Sequence, residues 1–269
     1  MSNWKFVVPR TTILTGKPVI YLAATLASVA CLLAPFTARA QSASEIYKRM
    51  TDVYANAKSY QGTIVRVEKG KTPNGPASQT ISIKISFKAP NKYVVENKSS
   101  TTVGPKSQSS DHWMVTDGKA LFMYSPQQKI YQRGQIRNEN MLTRYFAVMN
   151  PVDGFALLPE TAINGRPTFV LKPNAPTRST PAQIANAKTV KIAILIDKQT
   201  YQFIKMTITG KDGNLVQSVN GQSLNGSVPD SLFKWTPPAG YREIKAPSAP
   251  GGGPAIPGNG GAPNRAPGR

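Results

Sequence analysis

Residues 111–133 have the sequence DHWMVTDGKALFMYSPQQKIYQR, and this stretch decides the fold class. Its Asp117-Gly118 pair suits a tight turn with positive φ, and a β-forming run at residues 121–124 follows directly. Ser125-Pro126 interrupts that run before Ile130-Tyr131 resumes it. The stretch therefore predicts sequential antiparallel strands with aromatic side chains on both faces. Since such a sheet is not simply solvated on one face, we expect a helix, a partner or an apolar ligand to cover it.

The chain before this stretch predicts one helix followed by long strands. Ser42 and Glu45 have the spacing of a capping box, and apolar residues follow on one helical face: Ile46, Met50, Val53, Tyr54 and Ala57. From Tyr60 the hydrophobic period changes to two, which predicts half-buried strands near residues 63–67, 81–87 and 92–97. The polar segment 99–110 contains Gly104-Pro105, and we expect it to be a mobile loop.

After Arg133 the pattern becomes helical. Asn138 can cap a helix that Pro151 would end, with an apolar face formed by Leu142, Tyr145, Phe146 and Met149. A second apolar patch follows at residues 155–158. We interpret the two segments together as a helical insertion between the halves of the sheet, able to cover a concave surface.

The later segments again have the period of strands. The turn pairs Asn164-Gly165 and Asp212-Gly213 help to separate predicted strands at residues 168–172, 190–196, 201–209 and 215–219. A long polar loop is expected at residues 173–186. The segment holding Phe233 and Trp235 predicts a last short strand.

The first 40 residues have the features of a signal peptide. Residues 1–17 carry basic but no acidic side chains, residues 19–36 are apolar, and residues 37–40 end in a small-x-small pattern. We expect cleavage after about Ala40 and export to the periplasm or cell envelope. An uncleaved anchor is an alternative, because an apolar run of this length can just span a bilayer. Cys31, the only cysteine, lies in this run, so a lipoprotein acylated at Cys31 is a further alternative.

The remaining chain is strongly basic and predicts one domain. Removal of residues 1–40 lowers the formal net charge from +20 to +16, because they hold four basic residues and no acidic one. Export argues against a nucleic-acid partner, and a transient attraction to anionic membrane surfaces is expected instead. Residues 246–269 contain six prolines and seven glycines and predict a disordered tail, which leaves residues 41–245 as the domain.

Five phrases occur in the order seen in outer-membrane lipoprotein carriers. They are FKAPNKYVVE (87–96), WMVTDGKALFMYSP (113–126), FVLKP (169–173), LIDKQTYQFIKMTITGKDGN (195–214) and VPDSLFKWTPPAGY (228–241). From about residue 44 to residue 244 the chain resembles the LolA/LolB-like family of periplasmic lipoprotein-sorting proteins. The resemblance implies an α+β, mostly β fold, an open, curved antiparallel sheet (an unclosed barrel) with helices covering the concave face. Ala89 departs from the pattern, since the carrier subfamily has a lid-locking arginine there.

The resemblance also implies an apolar cavity that accepts the acyl chains of lipoproteins or lipids. Its expected lining is Ile83, Ile85, Phe87, Trp113, Val115, Leu142, Phe146, Ile192, Ile194, Phe203, Phe233 and Trp235. The same residues could form plain core. The leading hypothesis is a monomeric, non-enzymatic envelope carrier or binder of acylated ligands. The alternative is an RseB-like envelope sensor or protein-interaction module with a filled interior, whose partners are envelope proteins.

Residues suited to catalysis are sparse. His112 is the only histidine, and the sequence has no nucleophile motif, metal-ligand motif or phosphate loop. The aspartates Asp111, Asp117, Asp197 and Asp212 lie at predicted turns, where an Asp side chain bonds its own backbone. The sequence therefore predicts neither an enzyme nor a cofactor or metal site.

Overall fold

A computed structural model describes residues 41–73, 75–136, 140–147, 154–174 and 189–245. The predicted signal peptide and tail lie outside these residues, as do most of the predicted polar loop and Asn138, Met149 and Pro151. The described part contains two α-helices, α1 (Ala43–Ala55) and α2 (Met141–Phe146), and a 3₁₀ helix (Asp230–Phe233). Its strands are β1 (Ser59–Thr72), β2 (Gly75–Lys88), β3 (Lys92–Val103), β4 (Lys106–Asp117), β5 (Leu121–Ser125), β6 (Ile130–Gly134), β7 (Phe155–Ile163), β8 (Arg166–Pro173), β9 (Lys191–Asp197), β10 (Phe203–Thr209), β11 (Gly213–Leu224) and β12 (Arg242–Glu243).

All of these strands belong to one sheet. Their order is β12-β6-β5-β4-β3-β2-β1-β11-β10-β9-β8-β7, and only the pair β12 and β6 is parallel. Among the described strands β12 and β7 are the two edges, so the sheet does not close. The predicted fold class, mostly β with a large open sheet and helical cover, is confirmed.

The stretch at residues 111–133 forms the predicted antiparallel strands. β4 turns at Gly118, which has a φ of +90°, into β5, and β5 pairs in turn with β6. The Asp117 carboxylate accepts hydrogen bonds from the backbone N–H groups of Lys119 and Ala120 at 2.8 and 3.0 Å. The bond from Ala120 and then that from Lys119 lower the pKa of Asp117 below its ordinary value.

Helix α1 has the predicted capping box. The Ser42 hydroxyl accepts from the Glu45 N–H at 3.2 Å, and the Glu45 carboxylate accepts from the Ser42 N–H at 2.8 Å. Ile46, Met50 and Tyr54 are spaced by four residues and are fully buried against the sheet. The apolar stripe of α1 is therefore core.

Two predicted segments have a different structure. Residues 99–110 are not a loop, because β3 continues to Val103 and β4 begins at Lys106. Full cross-strand pairing stabilises these serine-rich ends, and the hydroxyls of Ser99 and Ser110 lie 2.7 Å apart. Phe155 to Leu158 is not part of a helical insertion but the start of β7, because it pairs with β8 across a hairpin.

The end of the sheet also differs from the prediction. Phe233 lies in the 3₁₀ helix and Trp235 in an irregular segment, so neither forms a strand. The last strand is β12, whose two residues pair with Ile130 and Tyr131 of β6. Helix α2 begins after Asn140, whose side chain accepts from the Leu142 N–H at 2.9 Å, and not after Asn138.

The cross-strand register defines two faces of the sheet. Tyr60, Phe87 and Tyr93 lie opposite one another in β1, β2 and β3, and Gly62, Ile85 and Val95 form the next row on the same face. This face packs against α1 and α2, and we call it the inner face. The opposite face is called the outer face.

Candidate binding face

The inner face carries the main apolar cluster of the domain. Its fully buried members come from both helices and from strands on both sides of β1: Ile46, Met50, Tyr54, Tyr60, Ile85, Leu142, Phe146, Leu171, Ile194, Ile196 and Phe203. The period of two aims alternate side chains of each strand at the helices. The result is a continuous apolar surface that runs from β3 to β8.

Helix α2 fills the space above β1. The Phe146 ring stacks on Tyr54 with 3.8 Å between ring centroids and meets the edge of Tyr60 at 5.4 Å. Leu142, one turn earlier, is also fully buried. In this arrangement side chains of α2 cover Tyr60 on the inner face.

A single residue attaches the start of α2 to the end of α1. The Asn140 amide donates to the carbonyl oxygens of Ala55 at 2.7 Å and Tyr54 at 3.2 Å. Its side-chain oxygen at the same time caps α2. Asn140 therefore satisfies orphan backbone groups at the ends of both helices.

Tyr54 links α1 to the sheet by hydrogen bonds. Its hydroxyl donates to Gln222 Oε1 and accepts from the Phe203 N–H, both at 3.0 Å. The Gln222 amide donates back to the Phe203 carbonyl oxygen at 3.0 Å. Burial, with a smaller contribution from Tyr60, raises the pKa of Tyr54 well above its ordinary value, so the hydroxyl stays protonated.

Farther along β1 the inner face becomes polar. Arg66 and Glu68, both half-buried, form an ion pair there, and the Gln79 amide donates to the Thr101 hydroxyl at 3.1 Å. A cleft of about 730 Å³ opens beside them, with Ile208 and Leu215 in its wall. The inner face thus has an apolar section under the helices and a polar section near the hairpin tips.

Eight of the twelve residues predicted to line a cavity lie on the inner face or on α2 above it. They are Ile83, Ile85, Phe87, Leu142, Phe146, Ile192, Ile194 and Phe203. The structure does not bring the other four to this face. Trp113, Val115, Phe233 and Trp235 belong to a second cluster, with Val94 and Val228, on the outer face.

The period of two explains this division. In β4 the inner-face residues are His112 and Met114, and a shift by one residue moves a side chain to the other face. On the outer face Trp235 stacks with Tyr124 at 4.6 Å, and Trp113 Nε1 donates to Asp111 at 2.7 Å. The prediction of aromatic side chains on both faces is wrong, because the register places Trp113, Phe122, Tyr124 and Tyr131 all on the outer face. The chain's own C-terminal segment, through Trp235, covers most of them.

The predicted lining omitted several residues of the main apolar cluster. Tyr54, Tyr60, Leu171 and Met206 are all buried in the main cluster. The capping box followed by an apolar stripe could have indicated that Tyr54 is buried. The alternation that begins at Tyr60 could have indicated the same for Tyr60. For Met206 the surrounding sequence KMTIT has the right period but does not indicate which face the helices cover.

Within the described ranges no group of three or more His, Cys, Asp or Glu residues could hold a metal ion. His112 is half-buried in β4, opposite Asn97. None of the helices seen in those ranges is both long and apolar enough to cross a membrane.

No family model matches the chain. A curated relative, an uncharacterised protein of Methanocaldococcus jannaschii, is 26% identical over 209 residues, which are 75% of this chain and 53% of the relative. The chain thus spans about half the length of that relative.

Solved structures similar to the chain include LprF from Mycobacterium bovis, with a TM-score of 0.43 and 12% identity over 70% of this chain and 94% of that one. Others include a LolA superfamily protein from Nitrosomonas europaea, with a TM-score of 0.30 and 15% identity over 73% and 99%. A LolA superfamily protein is thus among the structural neighbours. The MucA/MucB complex of Pseudomonas aeruginosa also matches, with a TM-score of 0.32 and 14% identity over 72% of this chain and 61% of that one. All three TM-scores are below 0.5.

Proposed function

We propose that residues 41–245 form a non-enzymatic domain of the cell envelope that binds the acyl chains of lipoproteins or other acylated, apolar ligands on the inner face. The observation that carries this proposal is the way in which the two helices cover the inner face. A continuous apolar surface is closed by α1 and by α2, which has only six residues. An apolar surface closed by so short a helix needs another apolar cover when the helix moves.

The attachment of α2 supports its role as a movable cover. A helix of this length is not stable in water by itself, so its position depends on Leu142, Phe146 and the Asn140 hydrogen bonds. Moving α2 uncovers Tyr54 and Tyr60, on which an acyl chain can lie. Each buried methylene of such a chain contributes about 0.8 kcal/mol, which offsets the lost contacts of α2.

The test compares two buried phenylalanines. Phe146→Ala vacates the space that the ligand needs, whereas Phe233→Ala removes an equally buried ring from the outer face. Each variant should lose about 3 kcal/mol of stability. Only Phe146→Ala should bind a pyrene-labelled fatty acid more tightly than the delipidated wild-type protein does.

Two outcomes contradict the proposal. One is a wild-type protein that does not bind the labelled fatty acid. The other is an affinity that changes equally in Phe146→Ala and Phe233→Ala, since loosening anywhere in the domain would then explain the binding.

The second candidate function is an envelope sensor or interaction module whose partner is a protein. The tight packing of Leu142 and Phe146 favours it, because these side chains leave no room for a ligand while α2 is in place. This function predicts that neither the wild-type protein nor Phe146→Ala binds a long acyl chain. The fatty-acid titration therefore separates the two candidates.

A further inference from the structure

Two buried side-chain polar atoms among the described residues have no hydrogen-bond partner. They are the Tyr60 hydroxyl and Asn97 Oδ1, and both belong to inner-face positions of the sheet. Tyr60 is fully buried, with 0% of its surface exposed. Buried polar groups in native proteins are nearly always paired, so the unpaired phenol needs a physical explanation.

Comparison with Tyr54 makes the Tyr60 hydroxyl more unusual. The two rings lie in the same cluster, 6.1 Å apart, and both are fully buried. The Tyr54 hydroxyl has a donor and an acceptor, whereas the Tyr60 hydroxyl has neither within the described chain. Burial raises the pKa of Tyr60 well above its ordinary value, so the group is a neutral donor. A phenylalanine would fill the same space without an unpaired hydroxyl.

The backbone beneath Tyr60 leaves room for the phenol. A Cβ atom at Gly62 would lie 2.3 Å from the Tyr60 hydroxyl oxygen, so the hydroxyl lies directly over this glycine. Glycine inside a strand weakens it and often marks a close approach. The pairing of β1 with β11 also has a bulge between Gln61 and Thr63. Phe146 of α2 covers the ring from the other side.

We propose that the Tyr60 hydroxyl donates a hydrogen bond to the carbonyl oxygen of an ester- or amide-linked acyl chain that lies on the inner face once α2 has moved. This inference rests on the proposed function and narrows its ligands from any hydrocarbon to acyl groups with a carbonyl. The phenol needs an acceptor, and a neutral carbonyl enters an apolar site at a lower cost than a carboxylate does. The ligand thereby satisfies a donor that the closed domain leaves unpaired.

The experiment uses residues 41–269, in wild-type form and as the variant Tyr60→Phe. Diphenylhexatriene, a fluorescent hydrocarbon that forms no hydrogen bonds, reports binding to the apolar face. Methyl palmitate and octadecane, which have similar lengths, then compete with it. We expect methyl palmitate to compete about tenfold less well in Tyr60→Phe, the value of one lost hydrogen bond. Diphenylhexatriene and octadecane should bind both proteins equally.

Thermal unfolding supplies a readout that a merely structural role would not produce. Tyr60→Phe should be at least as stable as the wild type, because it removes a buried unpaired hydroxyl. The matched variant Tyr54→Phe should be less stable, because it breaks the bonds to Gln222 and Phe203.

The outcomes distinguish the proposed hydrogen bond of Tyr60 from the proposed function. Equal competition by methyl palmitate in wild type and Tyr60→Phe overturns the hydrogen bond and leaves acyl binding intact. A loss of stability in Tyr60→Phe also overturns it, because the hydroxyl would then have a partner in the closed state. If diphenylhexatriene does not bind the wild type, the proposed function is wrong, and the proposed hydrogen bond of Tyr60 is wrong with it.

Discussion

The carboxylate of Asp197 holds the turn between β9 and β10. Its Oδ1 accepts from the backbone N–H groups of Gln199 and Thr200 at 2.9 and 2.8 Å and from the Thr200 hydroxyl at 3.0 Å. Its Oδ2 pairs with Arg166 Nη2 at 2.6 Å. Burial alone would raise the pKa of Asp197, but the bonds from Thr200 and Gln199 and the charge of Arg166 together lower it below its ordinary value.

This arrangement predicts how stability depends on pH. A lowered carboxyl pKa stabilises the fold above the unfolded value of about 4, and the contribution is lost as the pH falls through the lower folded value. Asp197→Asn should therefore reduce the free energy of unfolding by about 2 kcal/mol at neutral pH and by less in acid. Urea denaturation at neutral and acidic pH measures the loss of unfolding free energy under each condition. Asp212→Asn, at an exposed turn, is the control. If the difference in unfolding free energy between Asp197→Asn and wild type is not smaller in acid, the prediction is wrong.

At the scale of elements, Asn140 makes the hydrogen bonds that hold the start of α2. Asn140→Ala removes the cap of α2 and both bonds to the end of α1. Loss of a cap costs about 1 kcal/mol, which is a large share of the stability of a six-residue helix. Hydrogen exchange of the α2 amides should become faster while that of β1 and β2 stays slow.

The matched control is Ser42→Ala, which removes the cap of α1. It should speed exchange in the first turn of α1 and leave α2 unchanged. If Asn140→Ala instead speeds exchange in β1 as much as in α2, then α2 is part of the cooperative core and is not a separate cover.

At the scale of the whole molecule, we expect net charge to govern an approach to an anionic membrane. Residues 41–269 carry a formal charge of +16, and the register places Lys84, Lys98 and Lys205 on the outer face. Several lysines are partly neutralised, since Lys84 pairs with Glu96 and both Lys88 and Lys92 pair with Asp230. We expect the remaining basic residues to be attracted to an anionic bilayer by about 1 kcal/mol for each one near the surface.

Such binding should require anionic lipid and disappear at high salt, because the Debye length is about 8 Å at physiological ionic strength. Co-sedimentation of residues 41–269 with neutral and anionic vesicles across a salt series tests this expectation. Equal binding to both vesicle types, or binding that persists at high salt, would mean that inserted apolar surface holds the protein at the membrane.

Local patterns in the sequence determined the elements whose signals span only a few residues. Ser42 and Glu45 predict the start of α1, because a capping box needs only neighbours three apart. Asp117-Gly118 and Asn164-Gly165 predict hairpin turns, because few residues adopt positive φ at low cost. The alternation at residues 81–87 likewise predicts a strand with two distinct faces.

Only the tertiary structure decided which of those faces the helices cover. The period of two in β4 is the same whether Trp113 or Met114 faces α2, and the register with β3 places Trp113 outward. Pairing with the other strand of the same hairpin likewise makes a strand of β7 and aligns the serine-rich ends of β3 and β4. The hydrogen bonds of Tyr54 join residues 149 and 168 positions apart, and the unpaired hydroxyl of Tyr60 depends on where α2 lies. Such features result from contacts between residues far apart in the chain, and no short pattern encodes them.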